Sequence, residues 1–157
     1  MGFVVFFFLA WLVVSSFVVI RKRLSIVENT VIFLVILIVS INFSWIMMEE
    51  FEFIKPTKVG IDYTAFLLNR SVITPLIMVI LLNLFPWGKS VISKGLLVVY
   101  AVIVMLCLSN LSIFLKITKF SNWNYGYEAV YYFLLAVIAV ATSKIFRRFS
   151  RNGERAT

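Results

Sequence analysis

Polar residues in this chain do not alternate with apolar ones. They gather in clusters, and long unbroken apolar runs lie between the clusters. Five such runs cover residues 3–20, 30–48, 66–85, 95–115 and 129–145. The first is closed by Arg21, Lys22 and Arg23, the second by Glu49 and Glu50, and the third by Pro86; Lys94 and Lys116 bound the fourth, and the fifth leads into a basic tail over 146–157. A helix rises about 1.5 Å per residue, so about 20 apolar residues cross a hydrocarbon core of about 30 Å. Inside lipid every backbone polar group must be satisfied within the segment, which leaves helices or a closed barrel. Continuous rather than alternating runs select helices. The pattern therefore predicts an all-α polytopic membrane protein, a single bundle of about five transmembrane helices. Pro56, Gly60, Pro86 and Gly88 read as turn formers in connections too short for a soluble domain. An odd number of spans, with no internal repeat, disfavours the inverted-repeat architecture of many transporters.

Composition strengthens this reading. The chain is 62% apolar and 14% charged, against about 45–50% and about 25% in soluble domains. A soluble globular protein and a disordered chain are both excluded. There is no histidine, which removes His-ligated metal sites and His-activated nucleophiles. The single cysteine, Cys107, permits no internal disulfide and reads as a small buried hydrophobe. The first run has no basic residue before it and no small-residue cleavage site after it, so it reads as a retained span rather than a signal peptide.

Charge predicts orientation, because lysine and arginine concentrate in cytoplasmic loops. With the N-terminus outside, Arg21, Lys22, Arg23, Lys89, Lys94, Lys144, Arg147, Arg148, Arg151 and Arg155 are inside, and only Lys55, Lys58, Lys116 and Lys119 are outside. Five of the seven acidic residues (Glu49, Glu50, Glu52, Asp62 and Glu128) fall on the outer side. The net charge of +8 is then a topology signal with attraction to anionic lipids at the inner face, and no nucleic-acid footprint is implied. The expected address is the cytoplasmic membrane, N-terminus outside and C-terminus cytoplasmic.

Arg70 is the most informative residue. If the third span began after it, residues 71–85 would give only about 22 Å of helix, too short to cross. Arg70 is therefore expected inside the span near its outer end, where a bare charge costs a few kcal/mol. It must snorkel outward or pair with a carboxylate, and Glu50, Glu52 and Glu128 are the expected partners. Asn42, Ser44, Asn69, Ser109, Asn110 and Ser112 fall at similar depth. Together with Arg70, Glu49, Glu50, Glu52 and Glu128 they make a candidate intramembrane polar cluster, either a site or interhelical packing. Ser40 and Ser44, like Ala139 and Ser143, are four apart on one helix face, a spacing that permits close packing. The run Glu49, Glu50, Phe51, Glu52 offers oxygen ligands for calcium or magnesium, or is a solvated helix flank. Pro75 should kink the third helix and free a carbonyl near Arg70. Trp87, Trp123, Tyr125, Tyr127, Tyr131 and Tyr132 read as interfacial anchors.

Residues 110–125, which run from Asn110 through Trp123 to Tyr125, and residues 69–76 around Arg70 and Pro75 resemble stretches of small uncharacterised multi-pass membrane proteins of Bacillus-type bacteria. The resemblance implies a bacterial cytoplasmic membrane and carries no functional residue over. The expected function is a non-enzymatic accessory or interaction protein without a cofactor, binding a membrane-protein partner or itself. The alternative is a small transporter or channel using the polar site around Arg70, with a lipid-acting enzyme as a third reading.

Overall fold

The computed structural model describes residues 2–84, 91–121 and 123–153, of which 91–94 and 149–153 are described as backbone only. Phe85, Pro86, Trp87, Gly88, Lys89, Glu154 and Arg155 lie outside the described residues. Helix α1 is Gly2–Val19, α2 is Ile26–Glu50, α3 is Gly60–Leu84, α4 is Val91–Phe114 and α5 is Tyr125–Gly153. Among the described residues there are five helices long and apolar enough to cross a membrane. The multi-pass helical bundle read from the sequence is what the chain forms.

The helix ends differ from the apolar runs. Gly60, expected in a turn, starts α3, so the helix includes Asp62 and Thr64 and Arg70 is its eleventh residue. Likewise α5 begins before Glu128 and continues through the basic segment to Gly153. Helical hydrogen bonding continues past the edge of an apolar run because water or a cap can serve its last groups. At the start of α2, Ser25 and Glu28 form a capping box, each side chain bonding the other's backbone N–H.

Helix α2 packs on α3 and α5, α1 on α3, and α4 on α5. The larger core joins α2, α3, α4 and α5 through Ile32, Ile36, Met78, Leu82, Ala101, Met105 and Leu135. A second core sets Phe6, Ala10 and Val13 of α1 against Ala65, Phe66 and Ile73 of α3, and adds Ile117.

The two ends of the bundle are built differently. At one end lies an antiparallel two-stranded sheet that the apolar pattern did not announce: β1, Ile54–Pro56, pairs with β2, Thr118–Phe120. Helix α4 reaches β2 through a Schellman turn, in which Ile117 N–H bonds Ser112 O at 2.9 Å and Lys116 N–H bonds Ile113 O at 2.9 Å. Lys116 takes the left-handed position, φ 57°, where glycine is usual. The N-terminus sits at this end, since the Phe3 N–H bonds Asp62 Oδ1 at 3.2 Å. At the other end Arg147 Nε meets Glu28 Oε1 at 2.9 Å, and Asn83 closes a buried polar knot. Asn83 Oδ1 accepts the N–H groups of Arg23 and Leu24 at 2.9 and 3.1 Å, while Nδ2 donates to Asn29 Oδ1 at 2.7 Å. The sheet end thus holds the acidic loop, and the other end holds the 21–23 basic run.

Candidate functional site

Proline decides the local structure at the centre of α3. Residues Asn69–Ile73 form one turn of π-helix, in which Thr74 N–H bonds Asn69 O. In the α register the donor for Arg70 O would be Thr74, which is already engaged. In the π register it would be residue 75, which is Pro75 and has no N–H. The Arg70 carbonyl is therefore released from its own helix, and the hydroxyl of Ser40 on α2 donates to it at 3.5 Å. Tyr131 of α5 donates in turn to Ser40 Oγ at 3.3 Å. The freed carbonyl expected near Pro75 is Arg70's own, and it ties three helices together. Single π turns inside α-helices occur often at functional sites.

Around this point the bundle forms a partly open cavity of about 70 Å³. Ser40, Ser44, Asn69, Arg70, Thr74, Ser109, Ser112 and Glu128 contribute polar groups to its walls, with Phe43, Phe66, Trp123, Tyr131 and Tyr132 among the aromatic ones; Ile54, Thr118 and Phe120 of the sheet lie across it. Glu128 is only 6% exposed. Its Oε1 accepts from Ser109 Oγ and, at 3.3 Å, from Tyr132 Oη. Ser112 and Thr118 share a hydrogen bond that fastens β2 to α4. Phe43 stacks on Tyr131 with centroids 3.9 Å apart, and Trp123 meets Phe43 edge-on at 6.0 Å.

Arg70 does not pair with a carboxylate as expected. Among the described residues the ion pairs are Lys55–Glu52 and Arg147–Glu28, and the Arg70 guanidinium lies over the Phe66 ring, 5.3 Å from its centroid. Sequence depth sets the level of a charge along the helix but not the direction it faces. Glu49 and Glu50 lie on the outside of the bundle, and Glu52 is engaged by Lys55 at 3.1 Å. No group of three acidic or cysteine side chains that could hold a metal occurs among the described residues.

The cavity brings together Arg70, Asn69 and Glu128 of the expected cluster, with Ser44, Ser109 and Ser112. Asn42 and Asn110 stay outside it: Asn42 bonds back to Ile38 O at 2.8 Å, and Asn110 accepts from Tyr125 at 3.5 Å. Cys107 also faces out of the bundle, not into the core. Ser40, Thr74, Thr118, Trp123, Tyr131 and Tyr132 are cavity residues that the sequence reading assigned to packing or interfacial anchoring, or did not single out. For Tyr131 and Tyr132 a signal existed, because Glu128 precedes Tyr132 by one helical turn.

Among the described residues, five buried side-chain atoms lack a hydrogen-bond partner: Asn69 Oδ1, Arg70 Nε, Trp123 Nε1, Glu128 Oε2 and Ser143 Oγ. The first four belong to residues lining this one cavity. A larger groove of about 310 Å³ between α1, α2 and α3 is lined mainly by apolar side chains such as Phe17, Phe33 and Leu76, and none of the unpaired atoms lines it. Comparison with known proteins gives no match: no family model, curated protein or solved structure aligns with the chain.

Proposed function

We propose that this chain is a non-enzymatic accessory protein of the cytoplasmic membrane that binds a small polar ligand in its sheet-capped cavity. In this reading the sheet end faces outward and the basic end faces the cytoplasm. The observation that carries it is that four buried polar atoms without a partner belong to residues lining one cavity. Each costs about 1–3 kcal/mol when left without a partner, and a bound polar group recovers that cost at once.

Binding is favoured over passage. Between the cavity and the Asn29–Asn83 contacts, the described buried residues are mostly apolar, among them Ile32, Ile36, Val79, Ala101 and Leu135, with Ser143 as a buried polar exception. A channel needs a continuous polar path, and the apolar layer formed by these described side chains supports a closed binding site instead. Orientation rests on the excess of lysine and arginine at the end holding the 21–23 run and Arg147. Anionic headgroups are the natural lipid partners of that end.

Thiol accessibility tests the reading. In a Cys107→Ala background, Ser44→Cys introduces a thiol on the cavity wall. A small charged methanethiosulfonate reagent added to intact cells should modify it, and a reporter fused after Thr157 should be cytoplasmic. Modification only after the membrane is permeabilised would overturn the orientation. No modification in either condition would remove the open polar cavity.

A further inference from the structure

The chemistry of the four unpaired atoms restricts what the cavity can hold. Two are donors, Arg70 Nε–H and Trp123 Nε1–H, and two are acceptors, Asn69 Oδ1 and Glu128 Oε2. One wall residue carries a positive charge and another a negative one, yet they form no ion pair within 4.0 Å. Glu128 is held back by Ser109 and Tyr132, and Arg70 by the Phe66 face. A solitary anion would satisfy Arg70 and be repelled by Glu128. A solitary cation would meet the reverse. In a low-dielectric bundle both penalties are large, so the complementary ligand carries both charges.

We infer that the cavity binds a zwitterionic group, a protonated amine and an anionic oxygen group a few atoms apart; this rests on the binding reading above. The amine lies against Glu128 Oε2 and Asn69 Oδ1. The anionic oxygens accept from Arg70 Nε and Trp123 Nε1, a charge-assisted arrangement that arginine favours. A cavity of about 70 Å³ is far below the 300–1,000 Å³ of drug-sized sites. It admits the polar end of a molecule, such as an amino-acid backbone or an ethanolamine phosphate, and any larger body remains outside. Two sources supply this chemistry, a free amino acid and the headgroup of an ethanolamine phospholipid.

The test uses the purified full-length protein in phospholipid-free detergent. Thermal unfolding and titration calorimetry are run with glycine, phosphoethanolamine, acetate and ethylammonium. Unfolding is also measured in nanodiscs of phosphatidylglycerol with and without phosphatidylethanolamine. At least one zwitterion should raise Tm while acetate and ethylammonium do not. Arg70→Gln and Glu128→Gln should each weaken that zwitterion's binding at least tenfold. Trp123→Phe, which removes a donor and no charge, should weaken it several-fold, and it keeps the test open if a charge variant fails to fold. Stabilisation by glycine without an ethanolamine-lipid effect identifies a free solute. Stabilisation by phosphoethanolamine and its lipid, without glycine, identifies a headgroup. Either supports the inference. Equal stabilisation by a singly charged solute overturns the inference and leaves a polar binding site standing. No stabilisation by any probe, with wild-type Tm in all three variants, overturns both and leaves a water-filled void.

Discussion

Asn83 joins the last turns of α3 to the chain between α1 and α2, and Asn83→Leu removes that joint while keeping the side chain's size. Asn83 is 1% exposed. Its Oδ1 accepts the Leu24 N–H at 3.1 Å in a buried contact and the Arg23 N–H at 2.9 Å in a partly buried one. Its Nδ2 supplies Asn29 Oδ1 at 2.7 Å. In the variant Leu24 N–H and Asn29 Oδ1 become orphans inside the protein, whereas Arg23 N–H can turn to water. Two orphans at about 1–3 kcal/mol each, offset in part by about 1–2 kcal/mol of new apolar burial, leave a net loss of roughly 3 kcal/mol. Thermal unfolding of the purified protein, followed by tryptophan fluorescence, should show a Tm lower by several degrees. Asn29→Leu combined with Asn83→Leu removes one orphan, so the double variant should lose less than the sum of the single changes. A single variant as stable as wild type would refute the idea that this knot holds the helix ends together.

Other perturbations test separate joints. Lys116→Gly relieves a left-handed backbone position and should leave stability unchanged or raise it by up to about 1 kcal/mol, while Lys116→Val should lower it; chemical denaturation reads both. Arg147→Gln leaves the Glu28 carboxylate, 9% exposed in its side chain, without its cation, and should cost about 1–3 kcal/mol in the same assay. Ser40→Ala strips the donor from the Arg70 carbonyl and should destabilise wild type by about 1 kcal/mol. In a Pro75→Ala background, where a backbone N–H returns, the same change should cost less, and a double-mutant cycle measures the difference.

The five spans were legible because a long apolar run has few structural alternatives in a bilayer. Their ends were not. Asp62 and Glu128 read as flanks, yet both lie within helices, since hydrogen-bonded turns continue where apolar composition stops. The polar cluster was legible in depth and only partly in direction. Helical geometry advances about 100° per residue, so Asn42 points nearly opposite to Ser44, and its place outside the cavity could have been read. Ser109 and Ser112 share a face by the same arithmetic, and Asn110 falls outside the cavity. The Arg70 partner was not legible, because pairing depends on which helices adjoin and on the hydroxyls that already hold Glu128. Asn29 and Asn83 are lone amides 54 residues apart, and nothing in their spacing announces contact. The sheet escaped notice because its strands are three residues each, too short for a period-two pattern.

Arg70 and Glu128 line a shared polar cavity and form no ion pair with each other. A structure of the purified protein in nanodiscs, at a resolution that shows ordered water, tests this arrangement most directly. Ordered non-protein density is expected between Arg70 Nε and Glu128 Oε2, beneath the sheet formed by Ile54–Pro56 and Thr118–Phe120. A direct Arg70–Glu128 ion pair across a collapsed, empty space would contradict it.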